Sequence, residues 1–216
     1  MKKLLRQIPL VGDLAVKARS VKRSIIDRKR LQTYVRQAPE LKIVIGAGNL
    51  HDKSWCPTEV DYLNLLERDQ WLGYFSERKI DCILAEHVWE HLTQEQGAAA
   101  ARNCFEFLKP GGYLRVAVPD GNHPDPQYIE KVKPGGTGPG AHDHKMLYTH
   151  KTFGGLFEGV GFQVRLLEYF DDEGNFQAND WNTDQGTINR SQRVDPRNQN
   201  GKLVYTSVIV DAVKPE

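Results

Sequence analysis

The stretch Lys42-Ile43-Val44-Ile45-Gly46-Ala47-Gly48-Asn49 limits the fold more than any other. An apolar, β-branched run passes straight into two glycines separated by one small residue. Such a run, without polar alternation, reads as a strand buried on both faces of a parallel sheet. Glycine at its end lets the backbone turn tightly and approach a ligand with no Cβ in the way. In open α/β sheets, ligands lie beyond the carboxyl ends of the strands. A glycine pair after a strand also serves as a plain turn, so the rest of the chain has to decide.

From Leu41 onward, strand-like and helix-like segments alternate. A second strand is expected around Thr58–Tyr62, with only a vestigial third strand after it. A helical stretch with Trp71, Leu72 and Phe75 leads to a buried strand, Ile80–Ala85. Val88–Leu108 reads as a helix, stopped by Lys109-Pro110-Gly111-Gly112. Tyr113–Val118 reads as the next strand. A loop rich in proline, glycine and histidine then runs to about Tyr148, before a helix over Lys151–Val160. Two last strands, Phe162–Tyr169 and Leu203–Val210, enclose a long polar insert. Strands alternating with helices give one doubly wound α/β sheet. The domain is expected to span 41–216, behind a basic arm at 1–40.

The net charge of +1 conceals an asymmetry, because residues 1–36 carry +9 and the remainder −8. Leu14, Ala18, Val21 and Ile25 fall at helical spacing, so the arm reads as an amphipathic helix. It is expected to pack on its own acidic domain; acidic lipid headgroups or a protein partner are the alternative. No aromatic residue interleaves with the bases before Tyr34, which argues against nucleic acid. The basic, apolar start imitates a signal peptide, but Pro9, Gly12 and Asp13 interrupt it and no small-residue cleavage site follows. No apolar run approaches the ~20 residues that span a bilayer. Cys56, Cys82 and Cys104 share no metal-type spacing and read as free thiols, which suits a reducing, cytoplasmic compartment.

The order of these motifs resembles the class I S-adenosylmethionine-dependent methyltransferases. The resemblance rests on the strand into Gly46-Ala47-Gly48, a second strand with an acid near its end, Asp81–Leu92 with its "EHVWEHL", and Phe107-Leu108-Lys109-Pro110-Gly111-Gly112-Tyr113-Leu114. It covers roughly Leu41 to the end. It implies a mostly parallel sheet with an antiparallel last strand, and S-adenosylmethionine as cofactor. Gly46, Ala47 and Gly48 would present amides to the methionine carboxylate. Glu59, with Asp61 in reserve, would accept hydrogen bonds from the ribose hydroxyls, and Asn64 or Leu65 would lie near the adenine. Glu86 and His87 would line the sulfonium end. The gap between Gly48 and Glu59 is shorter than the family's, so the intervening helix is expected to be truncated or lost.

Two rivals come from other classes. His87-Val88-Trp89-Glu90-His91 matches the H-x-x-E-H zinc-peptidase pattern. That pattern needs both histidines inside one helix, whereas His87 follows directly on a strand, so Glu90 and His91 read as packing residues and no metal is expected. A non-catalytic cofactor-binding or partner-binding member of the fold is the other alternative. A dinucleotide site is disfavoured by His51 at the third glycine position of G-x-G-x-x-G.

The resemblance implies methyl transfer to oxygen or nitrogen of a small molecule or glycan. The protein's task is then to position the acceptor and remove its proton. Asp120, His123, His142, Asp143 and His144 follow the fifth strand and are the candidates. His144 is favoured as base, with Asp120 orienting it or replacing it. The insert Asp171–Lys202, with Phe176, Trp181, Arg190, Arg193 and Arg197, is expected to be a lid, a binding loop or disordered.

Overall fold

The computed structural model describes residues 25–48, 54–198 and 201–216. Among these, seven strands form one sheet: β1 (Lys42–Ile45), β2 (Cys56–Pro57), β3 (Ile80–Glu86), β4 (Leu108–Pro119), β5 (Gln163–Phe170), β6 (Phe176–Ala178) and β7 (Ser207–Val213). Their spatial order is β2-β1-β3-β4-β7-β5-β6. The first four are parallel, and β7 inserts antiparallel between β4 and β5. This is the single, mostly parallel sheet with an antiparallel last strand that the resemblance implied.

Strand alternation divides the core in two. Ile43, Ile45, Ile83, Ala85, Val116 and Val118 face a large cluster with the helices. The helices are α1 (25–37), α2 (Arg68–Phe75), α3 (Gln94–Phe107), α4 (Pro126–Val132) and α5 (His150–Glu158). From α1, Leu31 and Val35 are buried in this cluster, and Arg28 donates to the Asp61 carbonyl. This part of the basic arm therefore packs on the domain. Leu14, Ala18 and Val21 lie outside the described residues, and Ile25 is exposed.

Several boundaries differ from the sequence reading, each for a local reason. β2 lies at Cys56–Pro57 rather than Thr58–Tyr62, because the amides of Tyr62 and Leu63 turn back onto the Glu59 carbonyl. No third strand occurs among the described residues of this region. The segment from Val88 is not one helix. A 3-10 turn, Trp89–His91, ends at an extended Leu92, and Thr93 with Gln96 then forms a capping box that starts α3. The Lys109–Gly112 segment is a bulge inside β4, between the pairings Ile80–Leu108 and Cys82–Tyr113. Gly112 is needed there, since a Cβ would lie 2.9 Å from the Asp81 carbonyl oxygen. The histidine-rich loop contains α4, capped by Asp125 with Pro126 in its first turn.

Among the described residues, the second face of the sheet is covered without a helix. Val44, Leu84, Ala117 and Ile209 pack against Trp55, Trp181 and Ile188, the last two from the insert. Three buried charged side chains on three strands hold that insert by its backbone. Arg115 donates to the carbonyls of Asn182 and Gly186, both at 2.8 Å, and pairs with Asp211 on β7. Both oxygens of Glu86 accept from the amides of Asn189 and Arg190 at 2.9 Å. Glu168 accepts from Trp181 Nε1 and the Gln192 amide. The insert is folded over this face of the sheet.

Candidate functional site

The predicted cofactor loop and the predicted ribose acid meet at the carboxyl ends of β1 and β2. Gly46 and Gly48 have φ of +59° and +53°, where a side chain is strained. Around Gly48 an added Cβ would find nothing within 4 Å, whereas at Gly46 it would lie 3.0 Å from Val88 Cγ2. The loop thus abuts the turn after β3. The Ala47 amide donates to the Thr58 carbonyl at 3.0 Å, and Glu59 Oε1 accepts from the Gly48 amide at 2.7 Å. Glu59, not the exposed Asp61, is the acid brought to the loop. Between β1 and β2 no helix occurs among the described residues, in line with the short spacing. Leu65 is buried in the main core, and Asn64 closes its own turn by accepting from the Leu66 amide.

At the end of β3, Glu86 is committed to the insert, as described above. His87 turns the chain with φ +56°, in the left-handed region that non-glycine residues seldom occupy. Such strain is held where the surroundings fix it and often marks a working residue. His87 Nδ1 lies 3.0 Å from Glu90 Oε1, and Nε2 lies 3.1 Å from Ser207 Oγ on β7. Glu90 is 1% exposed, and neither carboxylate oxygen has a partner in hydrogen-bond geometry. Burial alone would raise its pKa, but the charge of the facing His87 pulls it below the ordinary carboxylate value.

The structure does not bring the predicted bases together at the strand ends. His144 Nδ1 donates to the Val132 carbonyl at 2.7 Å, and Nε2 is directed toward Glu90 at 4.0 Å. His142 is exposed on a 3-10 turn, Ala141–Asp143. His123 is buried and stacked on Tyr128, and its Nδ1 accepts from the Asp125 amide at 3.1 Å. Burial lowers the His123 pKa and keeps the ring neutral. Asp120 bonds no histidine; its two oxygens accept from the amides of Asn122 and Phe170. The signal for His87 in the sequence was its place directly after a buried strand.

Asp120 gives a pH prediction. Burial pushes its pKa up to about 6, against about 3.9 in an unfolded chain. Between those values the folded protein holds a proton that the unfolded chain has lost. Stability from this group therefore falls as pH rises from about 4 to 6, by about 3 kcal/mol for a shift of roughly two units. Urea denaturation across that range should show the slope in the wild type and lose it in Asp120→Asn. An unchanged slope in that variant would refute the assignment.

A groove of about 370 Å³ between α3 and α5 is lined by none of the predicted residues. The insert arginines all have intramolecular partners: Arg190 pairs with Glu86, Arg193 with Asp180, and Arg197 with Asp195 while lying over the Tyr205 ring. Cys56, Cys82 and Cys104 are free thiols, and burial pushes Cys56 up to about 11. No helix among the described residues is long and apolar enough to cross a membrane.

Comparison with known proteins adds the following. The family described as "Methyltransferase domain" matches residues 21–167. No curated protein matches the sequence. Among solved structures, a SAM-dependent methyltransferase from Archaeoglobus fulgidus is 14% identical, with a TM-score of 0.48, covering 88% of this chain and 94% of that one. The S-adenosylmethionine-dependent methyltransferase SibL is 11% identical with a TM-score of 0.47, covering 98% of this chain and 61% of that one. An O-methyltransferase family protein from Burkholderia thailandensis is 11% identical with a TM-score of 0.46, covering 96% and 61%.

Proposed function

Since the chain belongs to the methyltransferase-domain family and is an S-adenosylmethionine-dependent methyltransferase, we propose that it moves the methyl group to an oxygen or nitrogen of a small-molecule or glycan acceptor in the cytoplasm. The observation that carries this reading is the meeting of three parts at the carboxyl edge of the parallel strands. These are the Gly46–Gly48 loop, Glu59 on its amide, and the turn after β3, whose Val88 lies against Gly46 and whose His87 and Glu90 flank Val88 in sequence. Ligands of open α/β sheets lie at that edge.

The residues divide the work as follows. Gly46, Ala47 and Gly48 offer backbone to the methionine end of the cofactor, and Glu59 exchanges the Gly48 amide for the ribose hydroxyls. The cofactor supplies an electrophilic methyl group. His87 removes the acceptor's proton through Nε2, the nitrogen now facing Ser207 Oγ. Glu90 holds the ring by Nδ1 and steadies the imidazolium that forms. The insert arginines are paired within the protein, which favours a neutral or weakly charged acceptor over nucleic acid.

Titration calorimetry with S-adenosylmethionine tests the cofactor site. Wild-type protein is expected to bind at micromolar levels and Gly48→Val to lose binding. The space around Gly48 is open within the protein, so the branched side chain meets the ligand rather than the fold. A positive φ adds a strain of about 1–2 kcal/mol, so circular dichroism should still show a folded variant. Wild-type affinity in folded Gly48→Val would overturn the site.

A further inference from the structure

Beyond the cofactor edge, the structure gathers donor atoms from two distant stretches of chain. Glu90 and His91 come from the 3-10 turn after β3, and His144 follows the Ala141–Asp143 turn. One donor atom of each lies within 4.8 Å of the other two. The His91 and His144 rings meet edge to face, with centroids 4.9 Å apart. Both oxygens of Glu90 and Nδ1 of His91 are buried without a hydrogen-bond partner. Buried polar atoms left unpaired cost about 1–3 kcal/mol each, and more when charged. Oε1 of Glu90 faces His87 Nδ1 at 3.0 Å and Nδ1 of His91 faces Asp143 Oδ2 at 3.3 Å. That leaves Oε2 of Glu90 buried with neither a hydrogen bond nor an ion pair, beside two imidazoles that could share a ligand with it.

We propose that Glu90, His91 and His144 bind one zinc ion, which ties the turn after β3 to the loop after α4. Two imidazoles and a carboxylate are a borderline donor set that zinc accepts in tetrahedral geometry. Zinc bonds of about 2.0–2.1 Å place the ligand atoms roughly 3.3 Å apart, a closure that small side-chain rotations supply. The His144 tautomer is already fixed: Nδ1 donates to the Val132 carbonyl, leaving the Nε2 lone pair facing Glu90. A metal-bound histidine held by its other nitrogen is the usual arrangement. Asp143 Oδ2, 3.3 Å from His91 Nδ1, stands beside the cluster to steady His91 or fill the fourth position. The backbone is braced as well, since the Lys145 and Met146 amides both donate to the Glu90 carbonyl, at 2.7 and 3.1 Å.

This site differs from the H-x-x-E-H peptidase reading. His87 is not a ligand, because it lies in the left-handed turn before the 3-10 segment and faces Ser207. The third ligand comes from 53 residues beyond His91, which is why no third ligand was evident in the motif itself. The ion is assigned a structural role, holding Glu90 in place beside His87.

The test uses the full chain purified without a metal-affinity step, stripped by chelator, and titrated with Zn²⁺ and Co²⁺. Wild-type protein is expected to take up one ion per chain, to show the visible absorption of four-coordinate cobalt, and to melt at higher temperature with zinc. His91→Ala and His144→Ala should each lose at least about a hundredfold in affinity, and Asp143→Asn about ten- to a hundredfold. His142→Ala, on the exposed side of the same turn, should bind like the wild type. Wild-type protein without cobalt absorption and without stoichiometric zinc would overturn the proposal, whatever the variants do. So would full affinity in His144→Ala.

Discussion

Arg115→Ala is expected to cost about 3–5 kcal/mol of stability. The guanidinium is fully buried, pairs bidentately with Asp211, and donates to two carbonyls of the insert. It also lies over the Trp181 ring, 5.0 Å from the centroid. Truncation leaves the Asp211 carboxylate without its partner and two carbonyls without donors, where removing one partner of a buried pair is costly. Arg115→Lys keeps the charge but not the fork, so it should recover only part of the loss. Because Arg115 fastens the insert, the damage should be directional. Amide exchange should speed up at 182–192 before it does in α3 or α5. Uniform exchange, or a loss below about 1 kcal/mol measured by urea titration, would mean that Trp181 and Ile188 hold the insert by apolar burial alone.

That insert also shows where the sequence could be read and where it could not. β1, β3, β5 and α3 were legible because apolar runs and an alanine-rich segment are local patterns with one burial solution each. The antiparallel β7 followed from the resemblance. Residues 179–198 gave no periodicity, since their packing depends on Arg115, Glu86 and Glu168, each supplied from another part of the chain. A buried arginine in a strand such as Tyr113-Leu114-Arg115-Val116 is the one local sign that a polar partner covers that face. The same limit applied to the candidate site. Gly46 and Gly48 were found from the strand they end, Glu59 followed from the resemblance, and the structure brings them together. His144 was favoured as base on its order after the fifth strand, but order says nothing of which nitrogen is already bonded. His87 carries the unusual backbone, and no residue pattern announces a positive φ at histidine.

His87→Asn is expected to lower turnover by about 10²–10⁴-fold, the range that a positioned base contributes. Asparagine tolerates the left-handed backbone at 87, so the turn and the β3 end should survive, but its amide cannot take a proton. S-adenosylmethionine affinity should stay within a few-fold, because no predicted cofactor contact except His87 itself is altered. Zinc content should stay at the wild-type value, since the proposed ligands are Glu90, His91 and His144. The assay is release of S-adenosylhomocysteine with hydroxylated small molecules that the wild type turns over. Glu90→Gln should give a smaller loss, because the ring of His87 loses the carboxylate that holds its Nδ1. Tenfold or greater loss of cofactor affinity in His87→Asn would make His87 a cofactor ligand instead. Unchanged kcat, with the pH profile intact, would show that placement of the acceptor beside the methyl group is sufficient.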